Sequence, residues 1–123
     1  MDRDFFIYGT MFKNEVKILG VKIQINGKTV MACLEGEIDH HSAREIREEI
    51  DKTAYDTGCE LLLLDFALVT FMDSSGIGLV MGRYKLMNEL SGELQVINTS
   101  AHITKVMRLA GIQKLKLLDK EGK

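Results

Sequence analysis

The run Leu61 to Phe66, LLLLDF, is the stretch that most restricts what this chain can fold into. It is continuous rather than alternating, which suits a strand in the middle of a sheet, covered on both faces or nearly so. Helical patterns flank it. Upstream, Ala43, Ile46, Ile50 and Ala54 recur at helical spacing, with Arg44, Glu45, Arg47, Glu48 and Glu49 on the other faces. Ser42 followed by Glu45 reads as a capping box at the start of that helix, and Gly58 closes the connection after it. Downstream, Ile77, Val80, Met81, Tyr84 and Met87 mark one side of a second helix that stops near Ser91-Gly92.

The remaining segments complete an α/β pattern. Val21 to Ile25 and Thr29 to Leu34 are rich in β-branched residues and joined by Asn26-Gly27-Lys28, a hairpin signal because Asn and Gly tolerate positive φ. Glu93 to Ile97 reads as a strand, Ser100 caps a third helix with Ile103, Val106, Met107 and Ala110 inward, and Gly111 ends it. Lys114 to Leu118 reads as a last, partly exposed edge strand. The order ββαβαβαβ implies a mixed sheet of four to five strands with helices mainly on one face. Residues 1–20 stand apart as an extension. DFFIYGTMF is too apolar for a free tail, which leaves an added strand, core cover or association open as its role.

Composition narrows the function. A chain of 123 residues suits one domain, and 46% apolar with 28% charged residues is ordinary for a globular protein. Net charge of −2 carries no footprint for direct binding of nucleic acid or an anionic membrane. No apolar segment approaches the roughly 20 residues that span a bilayer, and the acidic start does not resemble a signal peptide. A cytoplasmic location follows as the expectation, with Cys33 and Cys59 as reduced, buried thiols.

Enzyme chemistry finds little support. Gly76-Ile77-Gly78 is only part of a dinucleotide fingerprint, and Gly78 and Gly82 suit close packing of helix on sheet. His40 and His41 are adjacent and point apart, so they do not chelate, and no metal or cofactor is expected. Glu35, Glu37 and Asp39 read as a solvated loop between strand and helix. Ser74 as a hydrolytic nucleophile lacks a base with a third orienting group. Ser74 and Ser75 begin a helix, yet one N-cap needs only one hydroxyl. A phosphate at that position faces the positive end of the helix dipole and unpaired N–H groups. The site therefore suits a switch of binding rather than of folding.

GEIDHHSA, Gly36 to Ala43, together with FMDSSGIGLVMGRYK, Phe71 to Lys85, resembles the anti-sigma-factor antagonist family, whose fold is the STAS domain. The sporulation branch, the stage II sporulation protein AA type, is the nearer match, and the similarity runs from about Val21 to Leu118, leaving 119–123 as a tail. The resemblance implies a non-enzymatic regulator that, unphosphorylated, binds an anti-sigma factor that is also a serine kinase and so frees a sigma factor. The kinase's own ATP then supplies a phosphate to the first serine of Asp-Ser-Ser-Gly, here Ser74, and a serine phosphatase removes it. The resemblance assigns Asp73, Ser75, Gly76 and Ile77 to the partner surface, with Asp39, His40, His41 and Ser42 adjoining them. A different class stays open, a STAS-type scaffold or sensor of a small ligand or nucleotide. Members usually begin near the first strand and end with a further helix, whereas here about 20 residues precede that strand and the chain ends LLDKEGK; the extension is expected to replace that helix as core cover. NTSAHI, Asn98 to Ile103, also departs from the nearer relatives.

Overall fold

A computed structural model describes the backbone of residues 5–7, 10–18, 20–115 and 117, with side chains from Gly20 onward. The elements are β1 (Phe5–Ile7), β2 (Thr10–Ile18), β3 (Val21–Asn26), β4 (Thr29–Ile38), α1 (His40–Thr57), β5 (Leu61–Met72), α2 (Ser74–Glu89), β6 (Glu93–Ile97) and α3 (Ala101–Leu109), then a 3-10 turn at Ile112–Leu115. Among the described residues the sheet has six strands, in the order β1-β2-β3-β4-β5-β6. Pairing is antiparallel from β1 to β4 and parallel from β4 to β6, the mixed α/β sheet expected of a hairpin followed by strand-helix-strand units.

Two differences from the expected order have physical causes. Residues 5–7 and 10–18 add two strands to the edge of β3, so the extension contributes backbone pairing; its side chains and its part in covering the core lie outside the described residues. At the other end, residues 112–115 wind into a 3-10 turn instead of starting an edge strand. Ile112 is pulled into the core by that turn, and the carbonyl of Leu117 accepts a bond from the Val96 N–H, a strand-like pairing beside β6. Leu118 lies outside the described residues.

The hairpin closes on the Asn26↔Thr29 pair, with Gly27 at φ 60° where an L side chain would be strained. Across β4, β5 and β6 the paired sets Val30, Leu62, Leu94 and Ala32, Leu64, Val96 share one face. They join Ile46, Ile50 and Ala54 of α1, Leu79, Val80 and Met87 of α2, and Ile103 and Met107 of α3 in one buried cluster. All three helices therefore cover the same face. LLLLDF is an interior strand between β4 and β6, but only Leu62, Leu64 and Phe66 are fully buried, while Leu61 and Leu63 on the other face are half-buried. Burying an aliphatic or aromatic side chain gives about 1.5–3 kcal/mol, so this row is a principal contributor to the core.

Helix faces rotate slightly from the expected ones. In α2 the buried set is Gly76, Leu79, Val80, Arg83, Leu86 and Met87, while Met81 is exposed and Ile77 and Tyr84 are half-buried. In α3 Ala110 is exposed, beyond the helix end. Gly76 is the glycine that permits close packing: a Cβ there would lie 2.6 Å from Met72 Sδ, whereas Gly78 and Gly82 have open space around them. Both cysteines are thiols, Cys59 buried and Cys33 half-buried. No helix among the described residues is long and apolar enough to cross a membrane.

Candidate functional site

Parallel pairing of β4 and β5 brings the two distinctive strings together. Ile38 pairs with Met72, so each strand ends at the same level and turns into a helix, α1 through Asp39 and α2 through Asp73. The N–H of Asp73 donates to the carbonyl of Ile38 at 3.2 Å, tying one helix start to the other. The acidic residues Glu35 and Glu37 lie within β4 itself and not in a loop, because that strand runs to Ile38.

The helix starts are capped by aspartates. Asp39, not Ser42, is the N-cap of α1: its carboxylate accepts from the N–H groups of His41 and Ser42 at 3.0 and 2.9 Å. Ser42 takes the reciprocal place, its Oγ accepting from the Asp39 N–H at 3.0 Å and donating to the Glu37 carbonyl at 3.0 Å. The capping box thus starts three residues earlier than Ser42-Glu45 suggests, because aspartate caps as well as serine does. Those N–H donors, the Ser42 amide first, hold the Asp39 carboxyl below the ordinary aspartate value. At α2, Asp73 is the cap and accepts from the Ser75 N–H at 2.7 Å. Neither serine is then needed for capping. Ser74, the first helical residue, is exposed, and Ser75 is half-buried.

His40 and His41 point apart as expected, into different clefts. His40 lines a groove of about 490 Å3 between α1 and α2, and His41 lines one of about 320 Å3 beside Glu35, Glu37 and Asp39. No group of three His, Cys, Asp or Glu that could hold a metal ion occurs among the described residues.

A buried ion pair that no motif flags joins the two helices. Arg83 of α2 is 5% exposed, and its Nε lies 2.8 Å from Asp51 Oδ1 of α1. That short approach is a charge contact off the hydrogen-bond axis; the directed bond runs from Nη2 to Oδ2 at 3.3 Å. Burial outweighs the facing guanidinium and pushes the Asp51 carboxyl up, while it pushes Arg83 down. A signal was present, since Arg83 falls at helical spacing from Leu79 and Val80 on the apolar side of α2.

Asp65 is the other overlooked residue. Its Oδ1 accepts from the Ala67 N–H at 2.9 Å and from Asn98 Nδ2 at 3.0 Å, where β6 stops pairing with β5. Beyond it the register slips by one residue before Leu68 and again before Phe71. These bulges set Leu68 opposite Glu35 and Phe71 opposite Glu37, on the face away from the helices, 59% and 50% exposed. They also keep Val69 and Met72 on the core face, which aims the end of β5 into α2.

The family model of the STAS domain matches residues 21–121. The chain belongs to the STAS domain family. Among its relatives, the anti-sigma F factor antagonist of Paenibacillus polymyxa is 31% identical over 79% of this chain and 83% of its own length. The anti-sigma-B factor antagonist of Bacillus subtilis is 27% identical over 79% and 87%. In three dimensions the STAS chain is similar to the anti-sigma factor antagonist SpoIIAA in its unphosphorylated form, with a TM-score of 0.73, 29% identity and coverage of 80% of this chain and 85% of that one. A second similar structure is the Bacillus SpoIIAA in its phosphorylated form, TM-score 0.67.

Proposed function

We propose that this STAS domain is an anti-sigma factor antagonist switched by phosphorylation of Ser74. Unphosphorylated, it binds an anti-sigma factor that is also a serine kinase and so releases a sigma factor; phosphorylated, it lets go, and a serine phosphatase resets it. It acts in the cytoplasm as a non-enzymatic regulator, with ATP belonging to the partner kinase. The observation that carries the proposal is the placement of Ser74 at the first position of α2, exposed and relieved of capping by Asp73. The relatives' names and a neighbour solved in phosphorylated form support it.

The chemistry of the switch is local. A phosphate on Ser74 adds about −1.5 to −2 charge, which the N-terminal end of α2 tolerates because its dipole and free N–H groups face it. A docked partner feels that charge beside Asp73 and Asp39, together with the cost of stripping water from phosphate. A penalty of about 2.7 kcal/mol weakens an interface about a hundredfold. Incubation with the cognate kinase and ATP should add one phosphate, absent in Ser74→Ala. Ser74→Asp should weaken kinase binding while Ser74→Ala retains it; equal affinity of wild type and the Asp variant would remove charge as the cause of release. A protein that neither binds nor accepts phosphate would instead be a STAS scaffold or ligand sensor.

A further inference from the structure

The groove between α1 and α2 reaches Ser75, next in the chain to Ser74, and has a marked chemical bias. His40 and the two arginines Arg44 and Arg47 line its α1 wall, and Ser75, Gly78 and Leu79 line its α2 wall. No carboxylate lines it among the described residues, although the chain as a whole is acidic. The first turns of α1 thus divide two clefts of opposite sign, since the cleft on the other side is lined by Glu35, Glu37, Asp39 and Glu45. Among the described residues Arg44 pairs with Glu48 across an exposed contact of 3.6 Å, a pairing that a better partner can displace.

Gly78 is the second observation. A glycine inside a helix costs about 1 kcal/mol relative to alanine. Among the described residues nothing justifies that cost: Gly78 is exposed, and a Cβ built on it would meet none of their atoms within 4 Å. Missing side-chain bulk on the wall of a basic groove lets another chain approach the α2 backbone.

We propose that this groove docks an acidic segment of the partner protein, its carboxylates paired with Arg44 and Arg47 and its backbone running past Gly78. The partner's identity rests on the antagonist reading above. The switch then gains a second arm: a phosphate on Ser74, the chain neighbour of the groove's Ser75, opposes the positive field that draws the acidic segment in.

Two variants and one peptide test this. Arg44→Glu/Arg47→Glu reverses the groove's charge, and Gly78→Gln fills it with a good helix former. Both should keep wild-type circular dichroism, Gly78→Gln with an equal or higher Tm, while each weakens binding to the cognate anti-sigma factor about tenfold or more. The arginine variant should also lose most of the salt dependence of binding. A hexaglutamate peptide should shift the amide resonances of Ser75, Gly78 and Leu79 in the wild type but not in the arginine variant. Affinities of both variants within about twofold of wild type, with Ser74 still phosphorylated, would overturn the groove and spare the antagonist reading. Failure of the wild type to accept phosphate would sink that reading instead; the peptide shifts then decide the groove by themselves, and their absence overturns it.

Discussion

At Asp39 and Asp73 a single carboxylate decides what the neighbouring hydroxyls are free to do. Serine and aspartate both cap helices well, so DSSG and DHHS are ambiguous as strings: the cap falls on whichever residue the preceding strand leaves in extended geometry. Here β4 and β5 end one residue before an aspartate in each case, and both aspartates adopt extended backbone. Ser100 does cap α3, accepting from the Ile103 N–H at 3.1 Å, where no acid competes. The consequence for Asp39 is a pH dependence with a defined sign. Its carboxyl is held below the ordinary 3.8 in the folded state. Such a group binds protons less readily folded than unfolded, so its stabilising contribution is complete above the unfolded value and drains away as pH falls through the lowered one. The stability gap between wild type and Asp39→Ala should therefore be constant near neutrality and shrink on acidification below that range. Urea melts across the acid range measure it; a gap that holds or widens there would show that the carboxylate is not what the cap uses.

Among the elements, α1 and α2 are joined both by apolar packing and by the Asp51–Arg83 pair, and the two kinds of contact behave differently. Desolvating the ions offsets much of their attraction, so the pair orients the helices at modest net benefit. Asp51→Ala leaves Arg83 charged and buried, and should destabilise by several kcal/mol at most, less than the roughly 3–5 of a fully buried pair because Asp51 is 31% exposed. The apolar double replacement Asp51→Leu/Arg83→Met should recover most of that loss. Chemical denaturation of wild type, Asp51→Ala and the double variant makes the comparison, and a double variant as unstable as Asp51→Ala would mean the ions contribute more than their packing. Pairs of this kind explain where pattern reading succeeds and stops. The hairpin at Asn26-Gly27, the strand Glu93–Ile97 and the apolar face of α1 follow from local periodicity, and the structure has them in place. The bulges of β5 do not, because they exist only relative to β4, about 30 residues away in the chain. Lys114 to Leu118 misleads for the opposite reason: alternate leucines mimic a strand, but the turn at Gly111 tightens into a 3-10 coil that uses Ile112 as its core anchor. At the site, juxtaposition of the two strings was implied by parallel β4 and β5, whereas the basic groove needed the helix faces in space.

For the molecule as a whole, the unusual feature is the pair of strands ahead of β3. β2 pairs with β3 through Lys13↔Ile25, Val16↔Ile23, Lys17↔Lys22 and Ile18↔Val21. Val21, Ile23 and Gln24 of β3 are all buried, so this strand is built as an interior one. Removing residues 1–18 would turn β3 into an edge with a row of unpaired N–H and carbonyl groups, the kind of edge that recruits another chain. Ser74, by contrast, is positioned where β4, β5, α1 and α2 meet. Deletion of residues 1–18 should therefore lower Tm and produce concentration-dependent association on size-exclusion chromatography with light scattering. Phosphorylation of Ser74 should persist in the fraction that remains monomeric. A deletion that stays monomeric with unchanged Tm would mean the added strands merely lean on a sheet already complete at β3, while loss of phosphorylation from a folded monomer would place part of the partner surface within the extension itself.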